Sequence, residues 1–215
     1  MVRHLPPVVP PTGTAPDDIG TGHPMREITE LLAADPGAWT PSLAVHVAGF
    51  FDELAPGWGQ DRSARSEVLV DALDRGLPAE VREPVLELGA GTGAGTRALV
   101  DRFDRVVAAD LSTEMLVRLE APDASRVLAD ARRLPVPDAA VGLLVAVNMF
   151  LFADEVRRVL SADGAFVWVN SIGERTPIHL PADRVVEALG DGFSGVASSS
   201  GWGTWCVARR VSGDD

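Results

Sequence analysis

Two rhythms divide the chain. From residue 25 to residue 76, apolar side chains return every three or four positions, the spacing of helices that bury one face. Met25, Ile28, Leu31 and Leu32 form the first stripe, stopped by Asp35-Pro36-Gly37. Leu43, Val47, Phe50, Phe51 and Leu54 form the second, between Pro41-Ser42 and Pro56-Gly57, and Val68, Leu69, Ala72 and Leu73 form the third, ended by Gly76. Residues 1–24 show neither rhythm and are rich in Pro, Gly and Thr, so they are expected to be a disordered or loosely attached arm.

From residue 84, short apolar runs alternate with helical patterns. Val85–Leu88 breaks at Gly89 and leads into a helix reaching about Val100; Val106–Ala109 ends at Asp110. Ser112 is placed to cap a helix carrying Met115, Leu116 and Leu119. A short strand near Val127-Leu128 follows, then Val141–Val147, apolar throughout as a strand buried on both faces is. A helix near Asp154–Leu160 stops at Asp163-Gly164, before a strand at Ala165–Val169. Such alternation predicts a doubly wound, parallel sheet. After a helix near 182–189, Phe193–Ala197 and Thr204–Arg209 are joined by the turn-rich Ser198–Gly201. A parallel crossover needs a dozen or more residues, so these two strands must pair antiparallel. The expected fold is α/β: a mostly parallel seven-stranded sheet with a C-terminal antiparallel hairpin and helices on both faces. The expected division is an arm at 1–24, N-terminal helices or lid at 25–78, and a core at 79–215.

Charge and composition narrow the partners. The 215 residues carry a formal net charge of -12 and no local basic stripe, which disfavours nucleic acid. No apolar run is long enough for a membrane span, and with no apolar stretch before Pro6-Pro7 a signal peptide is not expected. The single cysteine, Cys206, lies in an apolar run and reads as a small buried hydrophobe; with no disulfide framework possible, a cytoplasmic location is expected. No His/Cys/Asp grouping has metal-ligand spacing, so no metal is expected.

The chemistry concentrates at strand ends. Glu87-Leu88-Gly89-Ala90-Gly91-Thr92-Gly93 spans a strand-to-helix turn, where glycines permit a tight loop and close approach of a ligand. Gly89, Gly91 and Ala94 also satisfy the dinucleotide pattern, so glycine spacing leaves the cofactor open. Asp110 ends the next strand, where a carboxylate accepts from ribose hydroxyls, or else caps the following helix. Asp130, with Ala131, closes the third strand beside the same crevice. Three carboxylates there would repel a pyrophosphate and suit a cationic, donor-rich nucleoside.

Residues 85–170 resemble the class I, Rossmann-like S-adenosylmethionine methyltransferases, close to the small-molecule group that includes ubiquinone/menaquinone-biosynthesis enzymes. The matching segments are Val85–Gly93, Ala109–Leu116, Ala129-Asp130-Ala131 with Leu134–Asp138, and Glu155–Leu160 running into Asp163-Gly164. The resemblance implies S-adenosylmethionine as cofactor, with Glu87 and the Gly89–Gly93 loop (Ala90, Gly91 and Thr92 between) holding the methionine moiety. It implies Asp110 on the ribose, Leu111 and Met115 flanking the adenine, and Asp130-Ala131 at its edge. Asn148, ending the fourth strand, would lie over the transferred methyl. Phe50–Trp58 resembles a lid segment of related enzymes.

The acceptor is expected to be a small molecule. His179, between Pro177 and Pro181 on the loop before the last helix, is the candidate general base, or else a plain loop histidine. Phe50, Trp58 and Phe150 are candidate acceptor-site walls. Methyl transfer leaves no obligatory catalytic signature, so a non-catalytic S-adenosylmethionine-binding protein also fits. An NAD(P)-dependent oxidoreductase shares the glycine pattern, but the chain contains no tyrosine for a Tyr-x-x-x-Lys pair.

Overall fold

A computed structural model describes residues 1–59 and 63–211. The strands are β1 (Val2–His4), β2 (Val85–Leu88), β3 (Val106–Asp110), β4 (Ser125–Leu128), β5 (Val141–Val147), β6 (Leu160–Asn170), β7 (Phe193–Ser200) and β8 (Gly203–Arg210). The helices are α1 (Pro24–Ala34), α2 (Pro41–Leu54), α3 (Ser63–Gly76), α4 (Ala94–Val100), α5 (Thr113–Val117), α6 (Ala153–Val159) and α7 (Ala182–Leu189).

Alternation along each strand decides which helices it meets. Leu86, Leu88, Leu144, Ala146, Phe166 and Trp168 point to the face covered by α1, α2, α6 and α7. Their neighbours Val85, Leu143, Val145, Ala165 and Val167 point to the face covered by α3, α4 and α5. Leu69, Leu99, Leu143 and Leu144 are fully buried, each contributing roughly 1.5–3 kcal/mol from side-chain burial. Helices therefore cover both faces of one continuous sheet.

The sheet has the order β1-β7-β8-β6-β5-β2-β3-β4. β2 to β6 run parallel, and β8 pairs antiparallel with both β6 and β7. The expected hairpin is present, with Ser198–Ser200 inside β7 and the turn at Gly201-Trp202. From β2 the chain steps outward to β4, then returns to β5 on the other side of β2. The carboxyl ends of β2 and β5 thus flank a topological switch point, where open α/β sheets bind ligands.

Two expectations need correction. The sheet has eight strands because Val2–His4 of the supposed arm adds to its edge, parallel to β7, with Val2 opposite Gly195. Leu5 N donates to the Ala197 carbonyl at 2.8 Å, Arg75 to the Pro6 carbonyl at 2.7 Å and Trp202 to the Thr12 carbonyl at 3.1 Å. The free edge of β7 would otherwise leave backbone groups without partners. The chain also enters β6 at Leu160 directly from α6. Pairing jumps from Val141–Leu160 to Leu143–Ala165, so Asp163-Gly164 lies in an irregular stretch within that strand. Among the described residues, no helix is long and apolar enough to cross a membrane.

Candidate cofactor site

The loop after β2 turns on backbone that only glycine adopts freely. Gly89 has φ +65°, and a Cβ there would stand 2.6 Å from the Met149 sulfur. Gly93 has φ +91° and opens α4, but the atoms nearest its missing Cβ are those of Leu119 and Glu120. It shapes the turn and does not line the cavity.

Carboxylates close the ends of the strands around this loop. Glu87, on β2, is 1% exposed and accepts from Thr96 Oγ1 at 2.6 Å. Burial raises its pKa to about 8; the Thr96 hydrogen bond opposes the rise and the nearby Asp110 charge adds to it. Glu87 is therefore mostly protonated at neutral pH. Asp110, ending β3, accepts from Gly91 N at 2.7 Å and Ser112 N at 2.8 Å. Burial raises its pKa despite those bonds. A carboxylate has about four acceptor positions, so two backbone donors leave capacity for ligand hydroxyls. Asp110 thus braces the corner and keeps acceptor capacity.

The N-terminal helices form the roof. Ser112 caps α5 as its sequence suggested, accepting from Met115 N at 3.0 Å. Its hydroxyl donates to Asp52 of α2 at 2.5 Å, and Glu114 N donates to the same oxygen at 3.1 Å. These bonds fasten α2 over the β3–α5 corner. Trp39, just before α2, donates its indole N–H to the two Asp130 oxygens at 3.1 and 2.9 Å. Its ring packs on Phe150 and Phe152, at centroid distances of 5.8 and 5.1 Å. Asn148, after β5, has φ +51°, a conformation asparagine tolerates better than most residues. Its side chain accepts from Ser171 N and donates to Ser171 Oγ, both at 2.8 Å.

Glu87, Gly89, Ala90, Gly91, Thr92, Asp110, Leu111, Met115, Asp130, Ala131 and Asn148 line one cavity of about 100 Å³. Small-molecule sites usually measure roughly 300–1,000 Å³, so the roof lies close over its floor. In their chemistry, the glycine cradle and the carboxylate set fit a cationic nucleoside. Of the residues considered for the acceptor, Phe150 lines this cavity, Phe50 lines an adjoining one, and Trp58 lines both.

His179 lines neither. It sits in a surface hollow with Arg26 and Glu174, its Nδ1 3.4 Å from Arg26 Nη1. Arg26 also donates to the Glu174 and Thr176 carbonyls, each at 2.6 Å. Burial and then the Arg26 charge lower the His179 pKa. The ring therefore helps hold an arginine clamp, and its candidacy as base is withdrawn. Cys206 is buried and its thiol is pushed up to about 12, as suits a packing residue. Sequence reasoning missed Trp39, Val47, Phe51 and Ile178 as cavity walls. Val47 and Phe51 lay on a recognised apolar stripe, but Trp39 stands in a loop with no periodic signal.

Residues 86–167 match a family model described as a methyltransferase domain. An uncharacterized methyltransferase of Mycobacterium tuberculosis is 38% identical over 115 residues, covering 49% of this chain and 46% of that protein. A malonyl-[acyl-carrier protein] O-methyltransferase of Halorhodospira halophila is 31% identical over 163 residues, covering 62% and 55%. The chain spans about half the length of these curated relatives. The solved DhpI–SAH complex superposes with a TM-score of 0.62 at 20% identity, over 76% of this chain and 94% of that one, a likeness of fold. Residues 86–167 are thus similar in sequence to methyltransferase domains, and the chain shares the Rossmann-like fold of the protein in the DhpI–SAH complex.

Proposed function

We propose that this chain transfers the methyl group of S-adenosylmethionine to a small-molecule acceptor by in-line displacement. One observation carries the reading: buried Glu87, doubly braced Asp110 and Asp130 stand at successive strand ends around one glycine loop. Asp110 and Asp130, joined by Glu87 once a cationic ligand draws off its proton, suit a cationic nucleoside and oppose a pyrophosphate. In the proposed complex, Asp110 holds the ribose hydroxyls, and Glu87 with the Gly89–Thr92 backbone holds the methionine end. Leu111 and Met115 flank the adenine, and Asp130-Ala131 meet its edge. When bound, the cofactor supplies an electrophilic methyl on a positively charged sulfur. The chain's own work is to align that methyl with the acceptor and keep water away.

Trp39, Val47, Phe51 and Trp58 act as a roof, while α3, expected to belong to the same lid, packs on the opposite face of the sheet; residues 79–215 act as the catalytic core. The net charge of -12 supports a small-molecule acceptor over a nucleic acid. A single buried cysteine suits the reducing cytoplasm. The test supplies tritiated-methyl S-adenosylmethionine and a deproteinised small-molecule extract. Label appearing in an extract component, with matching S-adenosylhomocysteine, supports the proposal. S-adenosylhomocysteine binding with no transfer to any fraction would leave a binding protein instead.

A further inference from the structure

A second cavity of about 310 Å³ adjoins the first and shares Phe51, Trp58, Asn148 and Ile178 with it. Among the described residues its wall contains no Asp, Glu, Lys or Arg, although the chain carries 31 acidic and 19 basic residues. Aromatic rings dominate one side: Phe50 meets Phe51 edge-on at 5.4 Å, and Phe51 meets Trp58 likewise at 5.7 Å. His23 also stands in the wall. Its Nδ1 accepts from Met25 N at 3.1 Å, capping α1. A neutral imidazole that accepts at Nδ1 carries its proton on Nε2. With Nδ1 occupied as the acceptor of the cap, Nε2 is the ring nitrogen left to donate to a ligand.

We propose that this second cavity holds the methyl acceptor, and that the acceptor is a flat, uncharged, largely apolar molecule oriented by a hydrogen bond from His23. This rests on the methyl-transfer reading and specifies its substrate class. An ionised acceptor would lose its hydration against an apolar wall with no opposite charge to replace it, which costs several kcal/mol. In the transfer, the acceptor atom's electron pair forms the new bond to the methyl carbon. The carbon–sulfur pair returns to sulfur as a neutral thioether, and the acceptor's proton leaves to water. His23 positions the acceptor and takes no part in that proton's removal.

Two probes of the same shape test the proposal: 2-naphthol, neutral at pH 7, and 2-naphthoate, a carboxylate. Each is titrated by tryptophan fluorescence into full-length protein saturated with S-adenosylhomocysteine. The proposal expects 2-naphthol to bind at least tenfold more tightly. His23→Asn retains a side-chain oxygen for the Met25 N–H and removes the ring donor. It should weaken 2-naphthol about fivefold, as loss of one neutral hydrogen bond does, with S-adenosylhomocysteine affinity unchanged. Ile172→Lys, which places a cation in the wall, should reverse the preference toward 2-naphthoate. Equal or stronger binding of 2-naphthoate by the unmodified protein, or no effect of His23→Asn on 2-naphthol, overturns the proposal. Failure of S-adenosylhomocysteine itself to bind overturns the methyl-transfer reading beneath it.

Discussion

Replacing Glu87 by glutamine removes a titrating group from the centre of the sheet and keeps its shape. The native carboxyl has a pKa of about 8 against an ordinary value of 4.5. Between those values the folded protein retains a proton that the unfolded chain has lost. The proton difference ν(U) minus ν(N) then approaches minus one, so stability falls as pH rises, by about 1.4 kcal/mol per unit. The stabilising proton is fully present in both states below pH 4.5, and the loss is complete once pH passes 8. From pH 5 to pH 7.5 the accumulated cost is about 3 kcal/mol. Glutamine has no such dependence. It also places an amide near Gly95, where space is tight: a Cβ there would lie 2.3 Å from Glu87 Oε1. That packing cost is the same at every pH, so only the divergence of the two curves matters. Urea unfolding of both proteins at half-unit steps should show the variant gaining about 3 kcal/mol relative to the parent across the window. Parallel curves would refute a protonated Glu87 and the buried-carboxyl account of the site.

Trp39→Phe keeps an aromatic ring on Phe150 and Phe152 but frees Asp130, so S-adenosylhomocysteine should bind at least about tenfold more tightly, since a hydrogen bond to a carboxylate no longer has to break first. Stopped-flow association would place the gain in the on-rate; weaker binding would make Trp39 part of the bound site instead. His179→Ala should leave methyl transfer within twofold of the parent while lowering thermal stability through loss of the Arg26 clamp; a large fall in kcat with unchanged stability would restore His179 as a catalytic group. Calorimetry in two buffers of different ionisation enthalpy should detect proton release when S-adenosylmethionine binds at pH 7, as the ligand's cationic end draws the proton off Glu87. Glu87→Gln should abolish that release.

Much of this molecule is legible in its residues because the relevant signals are local. The all-apolar Val141–Val147 run has to be a strand covered on both faces, and it is the strand beside β2 at the switch point. The short Ser198–Gly201 link left only an antiparallel pairing for the last two strands. Glycines, Glu87, Asp110 and Asp130 were each visible at a strand end, so parallel order alone brings them together. What escaped depends on contacts between distant segments. Val2–His4 is too short to show a period and becomes a strand through β7. Trp39 enters the site by a hydrogen bond to a residue 91 positions away. His23 lies within the segment 1–24 that shows no rhythm, and its place in a cavity wall follows from where α1 docks. His179 was singled out by its loop position, which fixes neither the direction of the ring nor its partner. Gly93 matched a motif whose spacing does not distinguish lining a cavity from packing against Leu119.

Titration calorimetry of S-adenosylhomocysteine and NAD into the parent and Asp110→Ala proteins tests the ligand assignment most directly. One S-adenosylhomocysteine should bind per chain, NAD should not, and Asp110→Ala should weaken binding by about 1.5–3 kcal/mol, the worth of hydrogen bonds to a charged group. NAD binding in preference, or a folded Asp110→Ala protein with undiminished affinity, would contradict an adenosyl ligand held at the end of β3.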